Sequence, residues 1–354
     1  MFGTIWSAAL ATALAAAASA APMPETATGP APVYHITKSI PLGAPDRWDY
    51  LTFDPSIGRL FISHGDRVTV VDGRSGAILG EIEGLPGGTH GIAIVPDQGR
   101  GYTDDGQAGM AASFDLKTYK IVHRIKAEPD ADGVLFDPAS GHVFVVDGDS
   151  GKITVIDPKT DGVVATVDGG GGLEFGTVGG NGKLYVDGAE KGEIVRIDTS
   201  SNTADAHWPL SGCEKPHGLA IDRTTHRLFA SCANKVLAVV DADTGSNLAT
   251  LPIGAGTDAA AFDPKRNLIF SSNRDGTLSV IAEKSPGTFE PLPAVATQFG
   301  ARTMALDPES GRIYLVTADF TLNPKAAASD PRHRYAIAPG SVRLLFLDPA
   351  SGPR

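Results

Sequence analysis

Seven polar residues recur along the chain at steps of 41 to 44 positions, and together they could bind a cation or a charged ligand. They are Asp49, His90, Asp132, Glu174, His217, Asp258 and Arg302. Carboxylates and imidazoles ligate divalent metal ions, and an arginine pairs with an anionic group. The predicted metal ligands are Glu174, Asp132, Asp258 and His217. No local metal motif supports this reading, because each residue belongs to a different repeat.

A plainer interpretation of the same seven residues stays open. A polar residue at each repeated turn can simply face water, and an aspartate there can cap the turn by bonding to its own backbone.

The spacing comes from a repeated phrase of four short strands. In the copy at 133–167, the strands are predicted at Val134–Phe136, His142–Val146, Lys152–Ile156 and Val163–Val167. Clusters of Gly, Pro and Asp separate them, and no segment with helical periodicity interrupts the pattern.

Seven copies of this phrase predict an all-β fold, a seven-bladed β-propeller with four-stranded blades. The last copy stops at its third strand, Leu344–Asp348, and Val33–Leu42 has the pattern of the missing fourth strand. Pairing of these two segments would close the ring and leave no open sheet edge. In a propeller the first strand of each blade lines the central channel. The seven recurring residues would then surround one channel mouth, and we call them the mouth residues.

Several phrases of the repeat are similar to those of a known propeller family. They are FDP at Phe53–Pro55, Phe136–Pro138 and Phe262–Pro264, RLFIS at Arg59–Ser63, KLYVD at Lys183–Asp187, RLFAS at Arg227–Ser231, VIDPKTDG at Val155–Gly162 and VVDADTG at Val239–Gly245. Over roughly Val33–Asp348 the chain resembles the YVTN-repeat β-propellers and, within them, the exported YncE-like proteins. The resemblance implies the fold and export. Similar propellers include ligand- or metal-binding proteins, lactonases, lyases and carriers of redox partners, so activity stays open.

The N-terminal segment predicts export. Residues 1–20 are apolar, Ala-rich and end in Ala18-Ser19-Ala20, which is typical of a signal peptide, and residues 21–32 read as a disordered leader. The remaining residues, 33–354, are predicted to form a single propeller domain in the periplasm or outside the cell, with no membrane span. The formal net charge of −11 argues against nucleic acid as a partner.

The chain has two cysteines, Cys213 and Cys232. In an exported protein an even pair suggests a disulfide, and both positions are predicted on the same face of blade 5. The alternative is a pair of buried thiols.

One insertion breaks the repeat, at 317–340 between the second and third strands of the last blade. Long insertions in compact folds are often functional, so we expect a lid over the channel mouth. Arg332, His333 and Tyr335 are the candidate ligand-binding residues within it. A disordered surface loop is the alternative.

A second set of polar residues lies at the ends of the second strands and is expected to consist mostly of solvated turn residues. It contains His64, Asp66, Asp104, Asp105, Asp147, Asp149, Asp187, Asn273 and Arg274.

Three functions fit these observations. The favoured one is an exported protein that binds a small ligand or a divalent metal for another envelope component. The second is a metal-assisted lactonase or lyase, with His90, His217 and Glu174 as candidate catalytic residues and a histidine as general base. The third is a protein-interaction scaffold with no small-molecule site.

Overall fold

The computed structural model describes residues 34–323 and 334–350, and almost all regular structure in these ranges is β-strand. The helical segments in this part of the chain are two 3-10 turns, at Pro96–Gln98 and Gly106–Ala108.

Turn residues set the ends of the short strands. The carboxylate of Asp137 accepts hydrogen bonds from the backbone N–H groups of Ala139 (3.2 Å) and Ser140 (3.0 Å). Gly141 then adopts a φ of +75°, a left-handed conformation that is strained for residues with a Cβ atom. The Asp-to-Gly turn therefore ends one strand and begins the next.

The strands, numbered in chain order from β1 (Tyr34–Pro41), form four-stranded antiparallel blades. Blade 1 contains β2 (Leu51–Asp54), β3 (Arg59–His64), β4 (Arg67–Asp72) and β5 (Ile78–Ile82). Blade 2 contains β6 (Ile92–Val95), β7 (Arg100–Asp105), β8 (Met110–Asp115) and β9 (Ile121–Lys126). Blade 3 contains β10 (Ala131–Asp137), β11 (His142–Asp147), β12 (Lys152–Asp157) and β13 (Gly162–Asp168).

The next three blades repeat this order. Blade 4 contains β14 (Leu173–Val178), β15 (Lys183–Gly188), β16 (Glu193–Asp198) and β17 (Thr203–Pro209). Blade 5 contains β18 (Pro216–Asp222), β19 (Arg227–Cys232), β20 (Val236–Asp241) and β21 (Asn247–Pro252). Blade 6 contains β22 (Thr257–Asp263), β23 (Leu268–Asn273), β24 (Thr277–Ser285) and β25 (Thr288–Pro291), and the short β26 (Val295–Ala296) also pairs with β24.

Blade 7 joins the two ends of the chain. It contains β27 (Met304–Leu306), β28 (Ile313–Thr317), β31 (Arg343–Pro349) and β1. β1 pairs antiparallel with β31 from Tyr34 opposite Pro349 to Pro41 opposite Arg343. The first strands of the seven blades contact one another in cyclic order, with β27 against both β22 and β2. The predicted seven-bladed propeller, closed by its N-terminal strand, is confirmed.

The hydrophobic core is divided among the interfaces between blades. Strand β11 shows how: Val143 and Val145 pack toward blade 2, whereas Phe144 and Val146 pack toward blade 4. Because both faces of such a strand are buried, its sequence is a continuous apolar run. Each fully buried side chain of this kind contributes about 1.5–3 kcal/mol.

The predicted disulfide is confirmed. Cys213, in the loop before β18, is bonded to Cys232 at the end of β19, with their Cα atoms 5.5 Å apart. The bond links positions 19 residues apart, and closing a loop of this length is worth about 3 kcal/mol in the chain-entropy account.

The insertion in blade 7 begins and ends as a small hairpin. Strands β29 (Phe320–Leu322) and β30 (Tyr335–Ile337) pair with each other. Residues 324–333 lie outside the described residues, as do the predicted signal peptide and leader. A lid function for the insertion stays a prediction. Within the part of the chain that is described, no helix is long and apolar enough to cross a membrane.

Candidate functional site

β-Bulges place four of the mouth residues at the start of an inner strand. In blade 3 the residues on either side of Asp132 pair with consecutive residues of β11, so Asp132 has no residue opposite it. The same register shift leaves His217 and Asp258 without a residue opposite them on the second strand of the blade. Glu174 lies within the corresponding shift of blade 4. A β-bulge turns the side chain of its extra residue away from the regular alternation of the strand. Each of the four is half-buried, whereas the residue before it is buried.

The other three mouth residues, Asp49, His90 and Arg302, each lie two positions before an inner strand. Serines of the preceding blade hold two of them in place. Ser63 Oγ donates to the backbone carbonyl of His90 (2.5 Å), and Ser272 Oγ donates to that of Arg302. The loops that carry these residues are therefore fixed by the neighbouring blade.

The seven mouth residues lie close enough for their charges to interact. Burial raises the pKa of Asp49 to about 6, Arg302 lowers it in part, and the charge of Asp258 adds to the rise. Burial also raises the pKa of Asp132, and the charges of Asp49 and Glu174 add to that rise. Carboxylates from blades 1, 3, 4 and 6 thus share one weakly solvated volume.

Two ion pairs connect mouth residues of neighbouring blades. Arg302 Nε lies 3.0 Å from Asp258 Oδ2, and His217 Nδ1 lies 3.5 Å from Glu174 Oε2. The second contact raises the pKa of His217 above its ordinary value. Asp49 and Asp132 make no side-chain hydrogen bond or ion pair of this kind with any described residue.

The ring of His90 is held from two sides. Its Nδ1 lies 2.7 Å from Oδ2 of the buried Asp104, and its Nε2 lies 2.7 Å from the guanidinium of Arg47. A guanidinium only donates, so the Arg47 contact requires a neutral ring with its proton on Nδ1. Burial lowers the pKa of His90, but Asp104 and Asp132 outweigh it and raise the pKa to about 9. Protonation of His90 and the Arg47 contact therefore exclude each other.

An acidic cavity of about 170 Å³ opens beside the mouth, between blades 3 and 4. Its carboxylates are Asp130, Asp132, Asp149, Glu174 and Glu190. No lysine, arginine or histidine of the described chain lines it, and Glu174 alone among the five forms an ion pair with a described residue. Burial raises the pKa of Asp130, and the neighbouring Asp149 adds to this rise. A positively charged group would relieve the repulsion in this cavity.

The fit to a divalent metal is poor. Across residues 34–323 and 334–350, no three His, Cys, Asp or Glu side chains are placed to hold one ion together. Glu174 and His217 are already paired, as is Asp258 with Arg302. The carboxylates surround an open volume and do not converge on one position where a metal ion could sit. Metal ligation by Asp132, Glu174, His217 and Asp258 stays a prediction, and so do the catalytic roles of His90, His217 and Glu174.

Sequence reasoning did not identify Tyr50 and Phe175, two aromatic residues that we call the floor of the mouth. Tyr50 is buried, and its ring meets Phe175 edge to face with centroids 4.9 Å apart. Burial and the surrounding carboxylates, with Asp132 first among them, raise the pKa of Tyr50, so its phenol stays neutral. The position of Tyr50 directly after Asp49 was the available signal.

A second cavity, of about 450 Å³, continues along the inner strands of blades 1 to 4 from this floor. Its walls are mainly apolar, with Ile92, Val134 and Phe136 among them, and it reaches Asp54 and Pro96 at the other end of those strands.

The expectation of solvated turn residues at the ends of the second strands was wrong for most of them. Six of them are buried: His64, Asp104, Asp105, Asp147, Asp187 and Asn273. The loop that enters the first strand covers these positions. For example, Gly87 N–H donates to Asp105 Oδ1 (2.5 Å), and Gly91 N–H donates to Asp104 Oδ1 (2.9 Å). Asp66 and Asp149 are exposed, as expected.

The candidate residues of the insertion are partly described. Tyr335 is half-buried and packs against Phe299, with ring centroids 4.8 Å apart. Arg332 and His333 lie outside the described residues. Ligand binding by these three stays a prediction.

Comparisons with known proteins support the fold alone. No protein-family model and no curated protein matches the chain. Solved structures do, and 1806 chains match. The structure of U3-55K, for example, has a TM-score of 0.72 and 10% sequence identity, and the match covers 90% of this chain and 98% of that one. At this identity the likeness shows a β-propeller and does not select a function.

Proposed function

We propose that this propeller is a binding protein that holds a small organic cation, such as a primary amine, in the acidic cavity. One observation carries the proposal: five carboxylates line one cavity, and four of them have no ion pair with a described residue. Asp132 and Glu174 are half-buried, whereas Asp130, Asp149 and Glu190 are exposed. Gathering these carboxylates without a cation costs free energy through mutual repulsion, to which desolvation adds at Asp132, and the pKa values of Asp130 and Asp132 are raised accordingly. A bound ammonium group would offset it.

An organic cation suits this cavity better than a compact metal ion. An ammonium group donates three hydrogen bonds in different directions and can contact carboxylates that are too far apart to ligate one ion. The apolar part of an amine could lie against Tyr50 and Phe175 at the floor of the mouth.

Export and membership in the YncE-like class of YVTN-repeat propellers are part of the same proposal. The repeated FDP and strand phrases and the predicted signal peptide support them, and the Cys213–Cys232 disulfide is compatible with an oxidising compartment. In that setting the partner would be a small molecule of the periplasm or an envelope protein that receives it.

Thermal unfolding with added ligands tests the proposal. Butylamine is the probe, butan-1-ol is the uncharged control of the same length, and calcium and magnesium chloride test the metal alternative at constant ionic strength. We expect butylamine to raise the melting temperature with saturation, because a ligand that binds only the folded state stabilises it by about 2.7 kcal/mol at a hundredfold excess over Kd.

The outcomes separate the hypotheses. Stabilisation by butylamine but not by butan-1-ol supports the proposal. Stabilisation by a metal ion alone, lost in Glu174→Gln, would replace it with the metal-binding function. No saturable effect of any probe would contradict both and favour the interaction scaffold.

A further inference from the structure

A second charged cavity, of about 190 Å³, lies on the other side of the mouth, where blades 6, 7 and 1 meet the base of the β29–β30 hairpin. Its lining includes three arginines, Arg47, Arg274 and Arg302, and two aromatic residues, Trp48 and Phe320. We call it the arginine cavity.

Neither Arg47 nor Arg274 forms an ion pair with a carboxylate of the described residues. Asp46 also lines the cavity, but its Oδ1 accepts the backbone N–H of Gly340 (2.6 Å) and so tethers the end of the insertion. Arg302 contacts Asp258 through Nε, which leaves its terminal nitrogens available. The side-chain contact of Arg47 is with the His90 ring, not with an acid.

Arg274 gives the strongest support for an anion-binding site. Its side chain makes no hydrogen bond or ion pair with any described residue, and its guanidinium lies over the ring of Phe299, 5.9 Å from the centroid. Burial, followed by the charge of Arg302, lowers the pKa of Arg274. A half-buried cation held beside another cation is costly unless an anion joins them.

One residue of the cavity wall also has a hydrogen-bond donor without a partner among the described residues. Nε1 of Trp48 is buried and has no hydrogen-bond partner among the described residues. Buried indole N–H groups usually find an acceptor. The three guanidinium groups of the cavity form a set of donors that matches the oxygens of a carboxylate or phosphate.

We propose that the arginine cavity is an oxyanion subsite of the mouth, which binds a carboxylate or phosphate group of the ligand. The inference deepens the proposed function and rests on it for the cationic end. Together the two cavities select a small zwitterion, with its amine on the side of blades 3 and 4 and its oxyanion on the side of blades 6, 7 and 1. Arg302 lines the arginine cavity and pairs with Asp258 in the mouth, and the charge of Asp132, which lines the acidic cavity, contributes to the raised pKa of Arg302.

The test titrates the protein with sodium butyrate and with inorganic phosphate, each alone, at constant ionic strength. Binding is measured by calorimetry in the wild type and in Arg274→Gln, Arg47→Gln and Arg74→Gln. Arg74→Gln is the matched control, because it removes the same charge from an exposed turn in blade 1. Circular dichroism confirms that each variant is folded.

We expect one oxyanion to bind the wild type and Arg74→Gln with saturation, and to bind Arg274→Gln and Arg47→Gln at least about tenfold more weakly, as for a lost charge-assisted hydrogen bond. The tighter probe identifies the group as a carboxylate or a phosphate. Absence of saturable binding, or equal binding in all four proteins, would overturn the inference. Butylamine binding, measured in the wild type and in Arg74→Gln, decides the proposed function separately.

Discussion

Asp104 and Asp187 hold the same position in their blades, next to last in the second strand, yet their surroundings are opposite. Asp104 accepts the backbone N–H groups of His90 (2.8 Å) and Gly91 (2.9 Å), and it also contacts the His90 ring. Both carboxylate oxygens of Asp187 are buried without a partner among the described residues. Burial, with a contribution from Glu174, raises the pKa of Asp187 well above its ordinary value.

Replacing Asp187 with asparagine is therefore expected to stabilise the protein at pH 7.5. The folded state keeps a proton on Asp187 at pH values where the unfolded chain, with a pKa near 3.8, has lost it. The stability contributed by this group thus falls as the pH rises above about 4. We expect Asp187→Asn to gain at least about 1 kcal/mol at pH 7.5 and little at pH 4, measured by urea unfolding.

Asp104→Asn is the matched comparison for that experiment. Its amide would point a donor at the backbone N–H groups or at the His90 ring, and a buried unsatisfied donor costs about 1–3 kcal/mol. Equal destabilisation by both substitutions would show that the two carboxylates have the same role.

The affinity for butylamine should depend on pH through the mouth carboxylates. The amine stays protonated between pH 5 and 8, whereas Asp49, with a pKa of about 6, is mostly neutral at pH 5. Burial raises the pKa of Asp132 as well, and the charge of Asp49 adds to that rise. We expect binding about tenfold weaker at pH 5 than at pH 8, and a smaller change in Asp49→Asn. A constant affinity across this range would exclude these carboxylates from the site.

At the scale of strands, the repeat predicted the positions of the mouth residues but not the directions of their side chains. Counting back from the Asp landmark of each repeat located Asp132 and His217, since one position serves every blade. The bulges that turn them out of the pleat depend on pairing with the next strand. Burial of Asp105 and Asp147 was also not predictable, because the covering loops lie some twenty residues away in sequence.

Truncation of β1 tests whether this strand closes the ring of blades. Removal of β1 would expose the edge of β31 and delete the buried Tyr34 from the interface of blades 6 and 7. A chain that begins at Gly43 should lose at least about 4 kcal/mol of stability and associate through the open edge, compared with a chain that begins at Tyr34. Thermal unfolding and size-exclusion chromatography check this. Equal melting temperatures and monomeric elution of both chains would contradict closure by this strand.

At the scale of the whole molecule, the propeller holds two charged cavities on a rigid frame. The acidic cavity lies between blades 3 and 4, and the arginine cavity lies where blades 6, 7 and 1 meet. The two cavities lie apart because the acidic mouth residues Asp132 and Glu174 belong to blades 3 and 4, whereas Arg302 belongs to blade 7. The sequence already shows this order of mouth residues along the repeats. Asp130 and Glu190 join the acidic cavity only because loops of adjacent blades meet, so sequence reasoning did not include them. Asp149 was expected only as a solvated turn residue.

Calorimetric titration of butylamine at pH 8 tests the cation site in the acidic cavity. It compares the wild type with Asp132→Asn and with Asp97→Asn, which removes the same charge from an exposed turn outside the acidic cavity. We expect one site per chain in the wild type and in Asp97→Asn, and binding at least about tenfold weaker in Asp132→Asn. No measurable binding to the wild type, or equal affinity in all three proteins, would contradict a cation site in the acidic cavity.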